Sequence, residues 1–435
     1  MENVAMNCEI GRLQIKRRSL PQWLSLGILF VPFFLSFFTD FLRLPSVVKY
    51  TIDVMWVAVF MMMIIGKQIT IKKSITPFAA IAIIWLLYVS LGYLFQYQSV
   101  FYFLWGLRNN FRFYVAFLAF ATFLDEDDVM SSLHWIDWLF WINIPVTLFQ
   151  FFVLGYQQDY LGGIFGVERG CNAFTTVLFA LVVTKSLYRY FEGRENTWAC
   201  LVKSGCSLIL AAMAELKFFL VLYVIIVLVT MLTTKFSFRK FVALIMLAML
   251  LSFSGSVLTV LFGANEELTL QKVFELATAE NYATSDDLGR FTAIPTISKT
   301  FLPEQGDKLF GMGLGNCDTS AFAICNTPFF QTYEYLHYSW FSSAFLFLET
   351  GYIGLLLNLS FYIVALVLSI YRQRSGKGNK LFCQLGIVFA VLCLILTFYN
   401  SALRKEVGYI AYFALALPFV GNNSRQEGGD TEECL

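Results

Sequence analysis

Apolar runs close to 20 residues long recur from Leu20 to Val420, and this repetition constrains the fold more than any other feature of the chain. A helix rises about 1.5 Å per residue, so about 20 apolar residues cross the ~30 Å hydrocarbon core of a bilayer. Lipid offers no partner to backbone amides and carbonyls, so each run has to close its own hydrogen bonds as a helix. Of the 435 residues 58% are hydrophobic and 14% charged, more apolar surface than a soluble domain can hide. The expected fold is an all-α polytopic membrane protein, a single integral membrane domain over residues 1–435. Phe, Tyr and Trp crowd the ends of the runs, as interfacial belts do. A net charge of +1 gives no reason to expect nucleic acid. The nine cysteines contain no CxxC pair, which argues against a zinc or redox framework. Cys317 and Cys325 share one loop, and their pairing stays open. The first run is followed by no small-residue cleavage site and reads as a retained helix.

Lysine and arginine placement sets the orientation. Arg12, Lys16, Arg17 and Arg18 precede the first run and keep the amino end cytoplasmic; Lys67, Lys72 and Lys73 mark the next inner loop. The first three runs lie at about 20–39, 47–66 and 75–96. Arg108 and Arg112 open the fourth, which ends at Asp125, Glu126, Asp127 and Asp128. Those acids suit the amino end of a fifth helix at about 132–154; carboxylates alone at a helix start are not read as a metal site. A sixth run covers about 173–190. The stretch 198–234 is too long for one crossing, and the only charges in its middle are Glu215 and Lys217. Two short helices meeting in a tight outer turn there leave Lys235, Arg239, Lys240, Arg372, Arg374, Lys377, Lys380 and Arg425 inside, against Arg404 and Lys405 outside. The ninth helix is then at about 240–262, and a large extracytoplasmic loop fills 263–339. Three more helices follow at about 340–370, 381–399 and 408–420. The expectation is about 12 transmembrane helices, both termini cytoplasmic, and a polar cytoplasmic tail over 421–435.

On this topology Arg108, Arg112, Arg169, Lys217 and Arg290 converge on the outer face from separate places. A guanidinium grips phosphate oxygens two at a time, and lysine adds a point charge, so the cluster can seat a pyrophosphate. Headgroup contact, or an ion pair such as Glu168 with Arg169, is the plainer alternative. Arg290 follows Ser285, Asp286 and Asp287, which resemble a helix start. Phe291, Ile294, Ile297 and Phe301 then recur at helical spacing, an amphipathic piece expected along the membrane surface. Gly311-Met-Gly313-Leu-Gly315-Asn316 matches neither a Walker loop nor a Rossmann fingerprint. A structural turn and an anion-binding turn both remain open for it. His337, at the mouth of the tenth helix, is either an interfacial anchor or a proton acceptor. Glu349 lies twelve residues on, about 18 Å deeper if the helix is continuous, and reads as a structural carboxylate paired across helices. Gly351 and Gly354 share a face suited to close helix packing.

Gly289-Arg290, Leu-Phe-Gly311-Met-Gly-Leu-Gly-Asn316, His337 and Glu349-Thr-Gly351-Tyr-Ile-Gly354 resemble, in that order, the O-antigen ligase and polymerase family. Gly166-Val-Glu-Arg169-Gly170-Cys-Asn172 resembles its arginine loop, and Ala214-Glu215-Leu-Lys217 its short charged turn, so the resemblance covers about 160–360. It implies a C-type-glycosyltransferase-like, metal-independent enzyme, with no cofactor, in the bacterial cytoplasmic (inner) membrane. Its partners would be the lipid bilayer, undecaprenyl-pyrophosphate-linked glycan donor and acceptor, and a chain-length regulator. Arg169 and Arg290 would hold the pyrophosphate, with Lys217 assisting, and His337 would deprotonate the acceptor. The ligases follow their histidine directly with Asn, Ser or Gln, whereas Tyr338 intervenes here before Ser339, which keeps Glu334 and Asp318 as alternative bases. The expected function is polymerisation of lipid-linked repeat units into O-antigen, capsule or exopolysaccharide. The alternatives are a ligase that transfers finished glycan, and a lipid-linked sugar flippase or transporter.

Overall fold

Helices follow one another in the order of the apolar runs. The structure, a computed structural model, describes residues 18–65, 73–96, 98–235, 237–262, 279, 287–320 and 322–421. Arg12, Lys16, Arg17, Lys67, Lys72, Ser285, Asp286, Arg425, nearly all of 263–286 and the tail beyond 421 lie outside the described residues. The first nine helices are α1 (Leu20–Ser36), α2 (Thr51–Ile65), α3 (Thr76–Gln96), α4 (Val100–Phe123), α5 (Glu126–Phe152), α6 (Asn172–Phe191), α7 (Thr197–Met213), α8 (Lys217–Thr233) and α9 (Phe238–Phe262). Three short ones follow, α10 (Ala293–Thr300), α11 (Gln305–Phe310) and α12 (Pro328–Tyr333), and then α13 (Ser342–Ser375), α14 (Lys380–Tyr399) and α15 (Gly408–Ala416). No strand occurs among the described residues. Among the described residues six helices, α1, α2, α3, α9, α13 and α14, are long and apolar enough to cross a membrane, while α7, α8 and α15 are apolar but shorter. This is the architecture of a helical membrane protein.

Local chemistry explains the boundaries. The Asp125 carboxylate accepts the Asp128 amide at 2.9 Å, so α5 starts at Glu126, several residues earlier than the apolar pattern suggests. Asp128 is itself buried and bonded to Arg18 Nε at 2.7 Å. The stretch 198–234 is broken in two as expected. Glu215 takes a left-handed backbone, φ 54°, and the Leu216 amide reaches back to the Ala211 carbonyl at 2.8 Å. Lys217 then opens α8.

α14 packs against α13, α6 and α15, and α6 is enclosed along most of its length. Ring packing fills the centre: Phe78 meets Phe117, Phe361 and Phe419 with centroids 4.5–5.1 Å apart. At the end of the bundle carrying Arg372 and Arg374, Lys185 is bonded to Asp137 at 2.6 Å and to the Leu133 carbonyl at 2.8 Å.

The glycine turn resolves as a packing device. α13 is kinked at Gly351, whose φ of 62° and ψ of −167° are open essentially to glycine alone. The Met312 and Gly313 amides donate to the Leu348 and Glu349 carbonyls at 2.8 and 3.0 Å, just before the kink. Gly311 leaves no room for a side chain: a Cβ would stand 2.5 Å from the Glu349 carbonyl carbon. α10 turns its apolar side onto the start of α13. Ile297 is fully buried in a cluster with Tyr338, Phe341 and Phe345, because Ala293 and Ile297 pack against the start of α13, while Phe291 is exposed.

Candidate functional site

The site is organised by the eight-residue connection between α14 and α15. Asn400 ends α14, and its carbonyl accepts both the Ser342 amide at 3.1 Å and the Ser342 hydroxyl at 2.9 Å. The start of α13 is thereby fixed beside the end of α14. Arg404, Lys405 and Glu406 follow. Arg112, buried on α4, donates from Nη2 to the Arg404 carbonyl at 3.0 Å and places Nη1 3.6 Å from Glu406. Burial works against the charge on Glu406, but Arg112 prevails and holds this carboxyl below its ordinary range. The Arg404 guanidinium lies 3.1 Å from the Phe345 ring centroid and 3.8 Å from Asp318 Oδ2. Burial lowers the Arg404 pKa, with Asp318 and Glu349 opposing that effect.

Two ring stacks flank this connection. In the first, Trp340 stacks on His337, centroids 3.8 Å apart and planes 20° from parallel, and the Arg169 guanidinium sits 5.1 Å from the Trp340 centroid. Behind the imidazole, Asp287 Oδ2 stands 3.7 Å from His337 Nδ1. That is beyond hydrogen-bond length but within reach of an ion pair once the ring is protonated. The Asp287 side chain is wholly enclosed, and the Leu288 amide donates to the Leu336 carbonyl at 3.1 Å, tying the two segments together. His337 has a left-handed backbone, φ 53°, uncommon outside glycine. In the second stack, Arg290 lies 4.3 Å from the Tyr399 centroid, and Tyr399 lies flat on Phe218, centroids 3.5 Å apart. Lys217, the residue before Phe218, is 3.1 Å from Glu215 Oε1. The Ser342–Asn400 bonds place the segments bearing Trp340 and Tyr399 side by side.

The five predicted basic residues therefore divide. Arg108 is forked onto Asp53, its Nε and Nη2 at 3.1 and 2.6 Å from Oδ2, with Tyr50 and Trp105 against its faces. Arg112 is committed to Glu406, and Lys217 to Glu215. Arg169 lies over Trp340 and Arg290 over Tyr399. Arg169 is 63% exposed at its side chain, with Asp159 at 4.0 Å, while Glu168 turns to Lys49 at 3.5 Å. Of the alternative bases, Asp318 accepts from Asn109 at 2.7 Å and from the Thr319 amide at 2.9 Å. Glu334 is exposed, and its carbonyl accepts the His337 amide at 2.9 Å.

The depth expected for Glu349 needs correcting. The helix does not run on from His337; α13 begins at Ser342, which puts Glu349 only about 10 Å along it. Its Oε1 accepts the Cys317 amide at 3.2 Å, so it holds the loop rather than a neighbouring transmembrane helix. Cys317 and Cys325 are both free thiols. Burial, then Glu349 and Asp318, push the Cys317 thiol well above its ordinary range.

Asp287, Trp340, Tyr399 and the Arg404–Glu406 connection were not legible as site residues. Only Arg404 and Lys405 carried a signal, as adjacent cations in a short loop expected to be outer. Trp340 and Tyr399 look in sequence like any interfacial aromatic. Chemically, the arrangement offers two guanidinium groups for an anion and an imidazole backed by a carboxylate for a proton. No protein-family model matches the sequence, and no curated protein matches it.

Proposed function

We propose that this chain is a metal-independent glycosyltransferase that polymerises undecaprenyl-pyrophosphate-linked repeat units on the outer face of the bacterial cytoplasmic membrane. The helices would make twelve crossings, with the α14–α15 connection and the segments bearing Arg169, Lys217 and Arg290 outside. The observation that carries this reading is the convergence of Arg169, Arg290 and His337, from three separate segments, around one connection. In the proposed reaction Arg169 and Arg290 bind the donor's pyrophosphate. His337 takes the proton from an acceptor hydroxyl of the next repeat unit. The hydroxyl oxygen bonds to the donor's anomeric carbon as the bond from that carbon to the pyrophosphate oxygen breaks, and the lipid pyrophosphate leaves with the electron pair. Stabilising that leaving group and aligning the acceptor supply the rate enhancement. Asp287, 3.7 Å from Nδ1, keeps the imidazole oriented.

The test is complementation of a strain lacking the gene, with surface glycan resolved by size. Arg169→Ala and Arg290→Ala should each abolish long chains while the protein stays in the membrane. Full chain length in both sinks the pyrophosphate assignment. If the gene-deleted strain gathers repeat units on the inner leaflet instead of displaying single units, the protein is a transporter.

A further inference from the structure

Lys405 is placed against the loop that carries Arg169, without an acid of its own. A Cβ on Gly170, the residue after Arg169, would stand 3.6 Å from the Lys405 ammonium. Gly170 is held there by its amide, which donates to the Asp159 carbonyl at 2.9 Å. Among the described residues no carboxylate lies within ion-pair distance of Lys405. The two acids whose charges reach it, Glu406 and Glu168, are turned to Arg112 and Lys49. The side chain is half-buried, and burial lowers its pKa. The other cations tied to this connection already have acids: Arg404 has Asp318 and Arg112 has Glu406. A half-buried ammonium that no carboxylate pairs directly is favoured by an anion arriving beside it.

We propose that Lys405 is a third cationic contact for the diphosphate of the lipid-linked donor, presented from the α14–α15 connection onto the Arg169 loop. This rests on the glycosyltransferase reading above. A lysine suits the role, since its compact charge on a flexible stem can follow the diphosphate as it changes from ester to leaving group. An anionic lipid headgroup offers the same phosphate chemistry, so the test has to separate the two sources.

The experiment uses the full chain in phosphatidylcholine nanodiscs, titrated in one arm with undecaprenyl pyrophosphate and in the other with phosphatidylglycerol. Wild type, Lys405→Met, Lys405→Arg and Arg169→Met are compared, each checked by thermal melting. The expected result is at least about a tenfold loss of diphosphate affinity in Lys405→Met, the size of one charge-assisted contact, with near-normal affinity in Lys405→Arg. Phosphatidylglycerol binding should be unchanged in all four. If Lys405→Met does not assemble, Lys405→Gln gives the same readout. Unchanged diphosphate affinity in the charge-deleted variant, with Arg169→Met weakened, overturns the role of Lys405 and leaves the glycosyltransferase reading standing. Loss of phosphatidylglycerol binding alone overturns it in favour of a headgroup site. Absence of diphosphate binding in the wild type overturns both.

Discussion

Replacing Gly351 by alanine tests the contact on which the loop side of the site is built. The residue sits where α13 kinks, at φ 62° and ψ −167°, a region whose occupation by alanine costs about 1–3 kcal/mol. The added methyl would also run into the Leu309 carbonyl. Relieving that clash moves the glycine turn away from α13 and breaks the bonds from Met312 to Leu348 and from Gly313 to Glu349. Each contributes about 1 kcal/mol, so the total is about 3–5 kcal/mol. Gly92→Ala is the control: it lies on α3 with no heavy atom within 4 Å of the new methyl, and alanine is the better helix former by about 1 kcal/mol. Intrinsic tryptophan fluorescence in detergent should show the melting temperature of Gly351→Ala falling by roughly 5 °C, with Gly92→Ala level or slightly raised. Identical melting of the two variants would refute the docking of the turn onto the kinked helix, and with it the placement of Cys317 by Glu349.

Two further outcomes concern the charges around the site. Asp287→Asn keeps the volume behind His337 and removes the charge; polymerisation should slow at least about tenfold at saturating donor, with KM and melting unchanged and partial recovery in Asp287→Glu. An unaltered rate would leave Asp287 as packing only. Glu406 carries a sign for acid stability. Its folded pKa is depressed, so its contribution is full above its unfolded value of about 4.3 and is lost as pH falls through the lower folded value. Glu406→Gln should therefore melt below wild type at neutral pH and converge with it in acid; curves that stay parallel would mean Arg112 is not what holds the carboxylate.

The helices were readable because membrane crossing imposes a length and a composition that a linear scan detects. Even the break at Glu215 was visible, since a charge pair in the middle of 37 apolar-rich residues has no place inside lipid. Arg169 and Arg290 were legible through their surroundings. Their ring partners were not, because Trp340 and Tyr399 are chosen by helix packing between segments far apart in the chain. Asp287 was read from local pattern as a helix start. It was instead captured by a histidine fifty residues later, a pairing that no periodicity encodes. The depth of Glu349 was misjudged for a related reason. Spacing along a helix converts to distance only where the helix is continuous, and His337, with its left-handed backbone, precedes the first turn of α13.

The α14–α15 connection has a consequence for how the protein comes into being. Arg112 is made early and buried on α4, yet its carboxylate partner and the carbonyl it donates to both lie beyond residue 403. Chains emerge amino end first, and their early parts begin to assemble before the late parts exist. Until the last hairpin enters the bundle, α4 carries an arginine among apolar helices with its final acceptors still missing. The same hairpin brings Asn400 to Ser342, and with it Tyr399 to Arg290. Completion of the bundle and completion of the site are therefore one event, and a chain stalled before residue 400 has neither.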